Sequence, residues 1–306
     1  MTTKFPVRGI RTLGSMKLKT QRRIVGILFC ITPLLLLFTF TYLPFGEMVR
    51  YSFYDMKYIG ERKFVGLSNY VEIFQNEKLW ASLKVNLHYI AGSCFQVMLA
   101  LYLATILSFN CKFKNLFKGI FFFPYLVNGI AVGMIFKYFY THGYVLDTVL
   151  QWFGFELENL PFWLRDRNVN NWALVASAVW QYFGQAVIMF IGAIASVDST
   201  LYEAGEIDGA NAFQRFRYII LPNIKSIVVL NLILAIRGGL AGYEQPYVMT
   251  GGGGGTATYF LTVHKYAHEL MEVGMASAMA LVLLGLILLV TLVQKIAERY
   301  AFGKDE

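Results

Sequence analysis

The 306-residue chain is 57% hydrophobic and 16% aromatic, with only 15% charged residues, too little polar surface for a soluble domain of that size. With a mean hydropathy of +0.51 it belongs among integral membrane proteins. The net charge of +8 invites a nucleic-acid partner, but the order of the charges excludes one, and three scattered cysteines (Cys30, Cys94, Cys111) support neither a disulfide framework nor a metal knuckle.

Residues 1–23 carry seven basic side chains and no acid, and residues 24–46 are nearly devoid of charge. The apolar run is too long for a secretory leader and no small-x-small cleavage pattern follows it, so it is expected to be a first span, with Pro33 and Pro44 as tolerable kinks. Further spans are expected at about 85–111, 119–140, 168–197, 224–243 and 273–294, each near the roughly 18–20 residues that cross ~30 Å of hydrocarbon as a helix. The fifth is the weakest, because Arg237 interrupts it and Gly238, Gly239 and Gly242 loosen it. With a cytoplasmic N-terminus, residues 1–23, 112–118, 198–225 and 295–306 lie inside and hold 16 of the 27 basic residues, against 10 outside. That is the positive-inside pattern. It accounts for the basic balance as topology, and it puts both termini, including a short tail at 301–306, in the cytoplasm.

The outside connections have some content. Tyr70, Phe74 and Trp80, and the stretch Tyr144 to Phe153, have the composition of interfacial helices that anchor at headgroup level. Gly251 to Gly255 raises the question of a phosphate loop, but no Lys-Ser or Lys-Thr follows, and G-x-x-x-x-G-K-[ST] occurs nowhere in the chain. ATP hydrolysis by that means is therefore excluded. His264 and His268 share a helix face near Glu269 and Glu272, yet a zinc site needs three or four convergent ligands and His-Glu-x-x-His is absent. They are expected to be solvated loop histidines. No metal site and no catalytic constellation is expected.

Within the membrane, Arg237 at the outer half of the fifth span costs roughly 2.5–3.5 kcal/mol unless paired or wetted. Two readings stand open. Arg237 pairs with Glu244, two helical turns on, or with a partner subunit; or it lines a water-filled path and meets a polar ligand. The run Trp180-Gln181-Tyr182-Phe183-Gly184-Gln185 in the fourth span sets aromatic faces beside amides, which suits sugars, though Trp180 and Phe183 would equally pack helices. Asn128 and Gln96 are weaker pore candidates, since polar residues in spans often bond across helices.

Between the fourth and fifth spans lies a polar stretch, 200–222. The Thr200 to Glu203 spacing has the form of a capping box, so a short helix is expected from Thr200, with Gly209 permitting a turn or a close approach. Leu221-Pro222 is expected to end the following apolar run. Glu203-Ala204-Gly205, Asp208-Gly209-Ala210 and Ile220-Leu221-Pro222 together resemble the EAA loop of the permease subunits of bacterial ABC importers, most closely the carbohydrate branch. Gly205 stands where the family usually has alanine. Gly66-Leu67-Ser68-Asn69-Tyr70 resembles the G-L-x-N-Y segment before the family's second span, and Thr250 with the glycines resembles T-x-G-G-P, with Gly253 at the proline position.

The resemblance implies an all-α, six-span type I importer permease in the bacterial cytoplasmic membrane. It also implies two ATP-binding subunits that bind ATP and Mg, a second permease chain, an extracytoplasmic solute-binding protein, and no cofactor in this chain. Its cytoplasmic helix would ride in a groove of an ATPase subunit. By alignment to the family, Tyr182 and Gln185 with Gly238, Ala241, Tyr243 and Glu244 would line the substrate path, beside Trp180, Gln181, Arg237 and Asn128. The cargo is expected to be a carbohydrate; another polar solute, or a stand-alone secondary transporter, remains the alternative.

Overall fold

Main chain in hydrocarbon has no water to bond, so long apolar sequences close their hydrogen bonds within helices. The computed structural model describes residues 18–109 and 113–302. The basic segment up to residue 17, Cys111 and the end of the tail from residue 303 lie outside the described residues.

Helix α1 (Leu18–Leu37) passes through a π-helical turn, Phe38–Tyr42, into α2 (Leu43–Tyr51). Pro44 has no N–H for the carbonyl one turn back, and the turn just before it widens. A small antiparallel hairpin, β1 (Tyr54–Asp55) with β2 (Lys63–Phe64), leads to α3 (Ser68–Gln75) and the long α4 (Glu77–Ser108). Next come α5 (Lys114–Leu126), α6 (Gly129–Phe139), α7 (Val145–Trp152) and α8 (Asn170–Ala195). The polar stretch contributes α9 (Ser199–Ile207) and α10 (Ala212–Gln214), a second π-helical segment at Arg215–Ile220, then α11 (Leu221–Asn223). The chain continues with α12 (Lys225–Leu240), α13 (Tyr259–His268) and α14 (Val273–Phe302).

Four of these stretches are long and apolar enough to cross a membrane: Arg22–Tyr51, Glu77–Ser108, Asn170–Ala195 and Val273–Tyr300. Two more pairs of helices reach that length and apolarity only together, across a sharp bend. Lys114–Leu126 with Gly129–Phe139 is bent by 97°, and Ala212–Asn223 with Lys225–Leu240 by 76°. The third expected span is thus broken at Val127–Asn128, a bend that hydropathy does not register because both halves are apolar. The break before the fifth falls at Ile224, two residues beyond Pro222, because helical geometry carries on through α11.

The packed centre joins α4, α8 and α12, with α5 laid on α8. Val97, Ala100 and Ala104 of α4 meet Val187, Phe190 and Ile191 of α8 and, from the bend, Ile220 and Ile224. A second cluster packs Met275, Ala278 and Met279 of α14 against Tyr259, Val263 and Leu240. Small residues let the backbones close: a Cβ at Gly184 of α8 would collide with the Phe121 carbonyl of α5. By contrast, the most apolar window of the first span is not buried at all, and Phe29 (78% exposed) and Phe40 (73%) point away from the bundle.

Candidate functional site

Two regions concentrate the residues singled out above: a polar knob between α8 and α12, and a cavity inside the bundle.

The knob begins one step earlier than the capping-box spacing suggests. Asp198 is the N-cap, and its carboxylate accepts from the Thr200 N–H at 2.9 Å. That hydrogen bond holds the Asp198 carboxyl below the usual carboxylate range. Thr200 already lies inside the helix, so Thr200 and Glu203 do not form the box. A true capping box appears at Asn211 and Gln214, which exchange side chain to backbone bonds at 2.9 and 2.8 Å.

At the other end of α9, Gly209 adopts φ +71°, and the Gly209 N–H bonds the Glu206 carbonyl while the Ala210 N–H bonds that of Gly205. This pair of bonds with a left-handed glycine is a Schellman motif, which closes the helix and reverses the chain. Open space surrounds the Gly209 Cα, so within this chain the glycine serves the turn. Gly205 is buried, and a Cβ there would sit 2.7 Å from Cδ1 of Ile219. Its expected role as a mere helix loosener is therefore incomplete, for it also lets α9 lie on the π-helical segment. Arg215 ties the knob together, donating from Nε to the Ala210 carbonyl at 3.2 Å and reaching Glu206 at 3.9 Å. Glu203, Ala204 and Asp208 face solvent, Ile207 is 87% exposed at the tip, and Leu221 and Pro222 lie in α11 at the foot of the bend.

The cavity, about 530 Å³, lies among α4, α8 and α12. Tyr182, Gln185, Arg237, Gly238, Ala241, Tyr243 and Glu244 all line it, as does Gln96. Glu244 accepts from the Tyr182 hydroxyl at 3.2 Å and packs against Gly129, the first residue of α6, where a Cβ would displace it. A carboxylate at a helix N-terminus is favoured by the helix dipole. Arg237 occupies the last turn of α12, where a cation is favoured, and its side chain is exposed. The helix stops at Leu240, so the two-turn geometry that would have brought Arg237 to Glu244 does not exist, and among the described residues no ion pair joins them.

Three of the expected residues lie elsewhere. Asn128 caps α6, accepting from the Ile130 N–H at 2.9 Å. Gln181 is buried and donates to the Val127 carbonyl at 3.2 Å while accepting from Gln245 at 3.0 Å, so it bonds main chain freed by the 97° break. Trp180 faces Phe136 at 5.2 Å and lines a separate apolar groove.

The chain matches, over residues 96–301, the family described as the binding-protein-dependent transport system inner membrane component. It belongs to that family. It is 31% identical to the probable ABC transporter permease protein YesP of Bacillus subtilis, over 83% of this chain and 84% of that one. The multiple sugar-binding transport system permease protein MsmF of Streptococcus mutans is 29% identical, over 92% and 98%. A solved bacterial alginate ABC transporter, in complex with an alginate pentasaccharide-bound periplasmic protein, superposes with TM-score 0.80 at 20% identity, over 93% of this chain and 98% of that one. The fold is accordingly that of a type I importer permease, a multi-pass membrane protein of the inner membrane.

Several groups of this permease that shape the cavity carry no signal in the sequence. Asn86, fully buried, donates to the carbonyls of Gly239 and Leu240 at 2.8 and 2.9 Å and accepts from the Tyr259 N–H at 2.9 Å. Tyr89, also buried, lines the cavity with its hydroxyl unpartnered among the described residues. At the outer end, the glycine loop is held to the bundle by Asn170, which donates to the Gly254 carbonyl, and by Lys265, which donates to that of Gly251. Four of its five glycines have positive φ, all but Gly253; counted from Thr250, the proline of T-x-G-G-P falls at Gly254 (φ +65°), one residue beyond the expected Gly253. His264 and His268 do sit on one face, with rings 4.6 Å apart, but among the described residues no His, Cys, Asp and Glu cluster could hold a metal. His268 is exposed as expected, but His264 is partly buried: it packs on Tyr243 and Tyr247, and burial pushes its imidazole below the ordinary range.

Proposed function

We propose that this permease lines the path of an oligosaccharide imported at the expense of ATP, handed over by an extracytoplasmic binding protein and released to the cytoplasm by alternating access. The observation that carries this reading is the cavity between α4, α8 and α12, where tyrosine rings, amides and one charge of each sign face a space of about 530 Å³. Rings stack on the C–H faces of sugars, and amides exchange hydrogen bonds with their hydroxyls. The names of the relatives, a multiple sugar-binding system and an alginate importer, support the same cargo class.

In this reading ATP and Mg are bound by two partner subunits, and a second permease chain completes the path. The knob at α9 is the handle, with Ile207 at its tip and Glu203 and Asp208 around it seated in an ATPase groove. The Schellman turn at Gly209 and the Arg215 bonds make the handle stiff, so closure of the ATPases passes to α8 and α12 instead of bending the loop. The basic segment 1–23 and the tail lie in the same compartment as the handle.

The test is purification of the tagged permease from native membranes in mild detergent, with mass spectrometry of what accompanies it, then saccharide uptake by the reconstituted assembly. Recovery of an ATPase and a second permease, with uptake that needs ATP, is the expected result. A chain recovered alone from membranes that still transport, or uptake indifferent to ATP, overturns the proposal.

A further inference from the structure

Only two formally charged side chains line the cavity, and the structure treats them differently. Glu244 is already engaged. It accepts a hydrogen bond from the Tyr182 hydroxyl at 3.2 Å and rests on Gly129, the first residue of α6, where the positive end of the helix dipole offsets its charge. Arg237 is not engaged. Among the described residues no carboxylate lies within ion-pair reach of it. The last-turn carbonyls of its own helix, at Gly239 and Leu240, are taken by Asn86. A guanidinium is charged at any relevant pH and carries five N–H donors in a planar fork suited to a carboxylate. Tyr89, 4% exposed, lines the same cavity, and its buried hydroxyl has no partner among the described residues.

We propose that Arg237 is the specificity determinant of this path and that the cargo is an acidic saccharide, its uronate carboxylate held by the Arg237 fork. The inference rests on the carbohydrate reading above and adds the charge of the sugar. A bidentate Arg–carboxylate contact is stronger than a neutral hydrogen bond, and the carboxylate supplies the partner that Arg237 lacks among the described residues.

The experiment uses the complete transporter with its binding protein in proteoliposomes. The probes are trimers of galacturonate, glucuronate, mannuronate and guluronate, each beside its carboxyl-reduced neutral counterpart, with a hexose phosphate as a further anion. The wild type is expected to import at least one uronate trimer faster than its neutral counterpart. In R237Q the ratio of acidic to neutral uptake falls at least tenfold, and R237K recovers part of it. The proposal is overturned by import of neutral trimers alone, by an unchanged ratio in R237Q even if total uptake falls, or by a preference that only the hexose phosphate displays. Failure to import any saccharide by a wild-type assembly that hydrolyses ATP removes the carbohydrate reading itself, and this inference with it.

Discussion

Asn86 is a residue on which three main-chain groups from distant parts of the chain converge: two carbonyls at the end of α12 and the first N–H of α13. All are buried, and each buried polar group left without a partner costs about 1–3 kcal/mol. N86A is therefore expected to lower stability by at least ~3 kcal/mol on that scale. Thermal unfolding of the detergent-purified chain reads this directly, and an unchanged midpoint would show that the carbonyls find other partners. Gly209 makes a different prediction. Its φ of +71° admits L-residues only with strain, about 1 kcal/mol for alanine. G209D, which adds charge and bulk at the handle's turn, is expected to leave the chain in the membrane while uptake is lost or ATP hydrolysis runs without it. Normal ATP-driven uptake by G209D would remove the role given to this turn. Gly209 was legible because its flanking pieces form a spaced motif. Asn86 was not, because a single asparagine in an apolar run carries no pattern, and its three partners lie some 150 or more positions away.

Among the elements, periodicity and hydropathy locate the apolar segments but carry no information about bends. The third span shows why. Both of its halves are apolar, and the 97° turn is made where Gln181 of α8 reaches the Val127 carbonyl. The glycine that lets α5 and α8 close together makes a prediction for this pair. G184V places a side chain against the Phe121 carbonyl and is expected to cost about 1–3 kcal/mol or more, as overpacking does. A fall in the yield of monodisperse protein, compared with G192A in open space on the same helix, measures it. At the outer mouth, α13 carries a pH response. The His264 imidazole, held low by burial and by His268 while Glu269 acts the other way, faces Tyr243 and Tyr247. Since its folded value lies below the ordinary 6.5, its contribution is intact above 6.5 and is lost as pH falls from there through the folded value. The melting midpoint is expected to drop between pH 7.5 and 5.5, and to drop less in H264Q; equal drops would place the sensitivity elsewhere.

For the whole molecule, the count of six spans and the charge asymmetry together set an orientation that one labelling experiment checks. In a background with the native cysteines replaced, I207C at the exposed tip of α9 is expected to react with a membrane-impermeant maleimide only from the cytoplasmic face. W152C, at the exposed end of α7, is expected to react only from the opposite face. Reversed accessibility would invert the topology and disconnect the handle from any cytoplasmic ATPase. The cavity was legible in outline, since Tyr182, Gln185 and Glu244 were placed on its wall by resemblance. Its electrostatics were not, because they depend on where α12 stops, and three glycines near that end masked the helix terminus.

The broken third span also dictates an order of events during synthesis. Its halves, Lys114–Leu126 and Gly129–Phe139, have 13 and 11 residues, each too short to cross the bilayer alone, yet together they present one continuous apolar signal to the insertion machinery. The side chain that bonds the Val127 carbonyl at the turn belongs to Gln181, more than fifty residues downstream. The Asn128 cap is local and available at once, whereas the Gln181 bond can form only after α8 has arrived beside the turn. A ribosome stalled before α8 is released should accordingly leave a nascent chain whose third segment still lacks that second support.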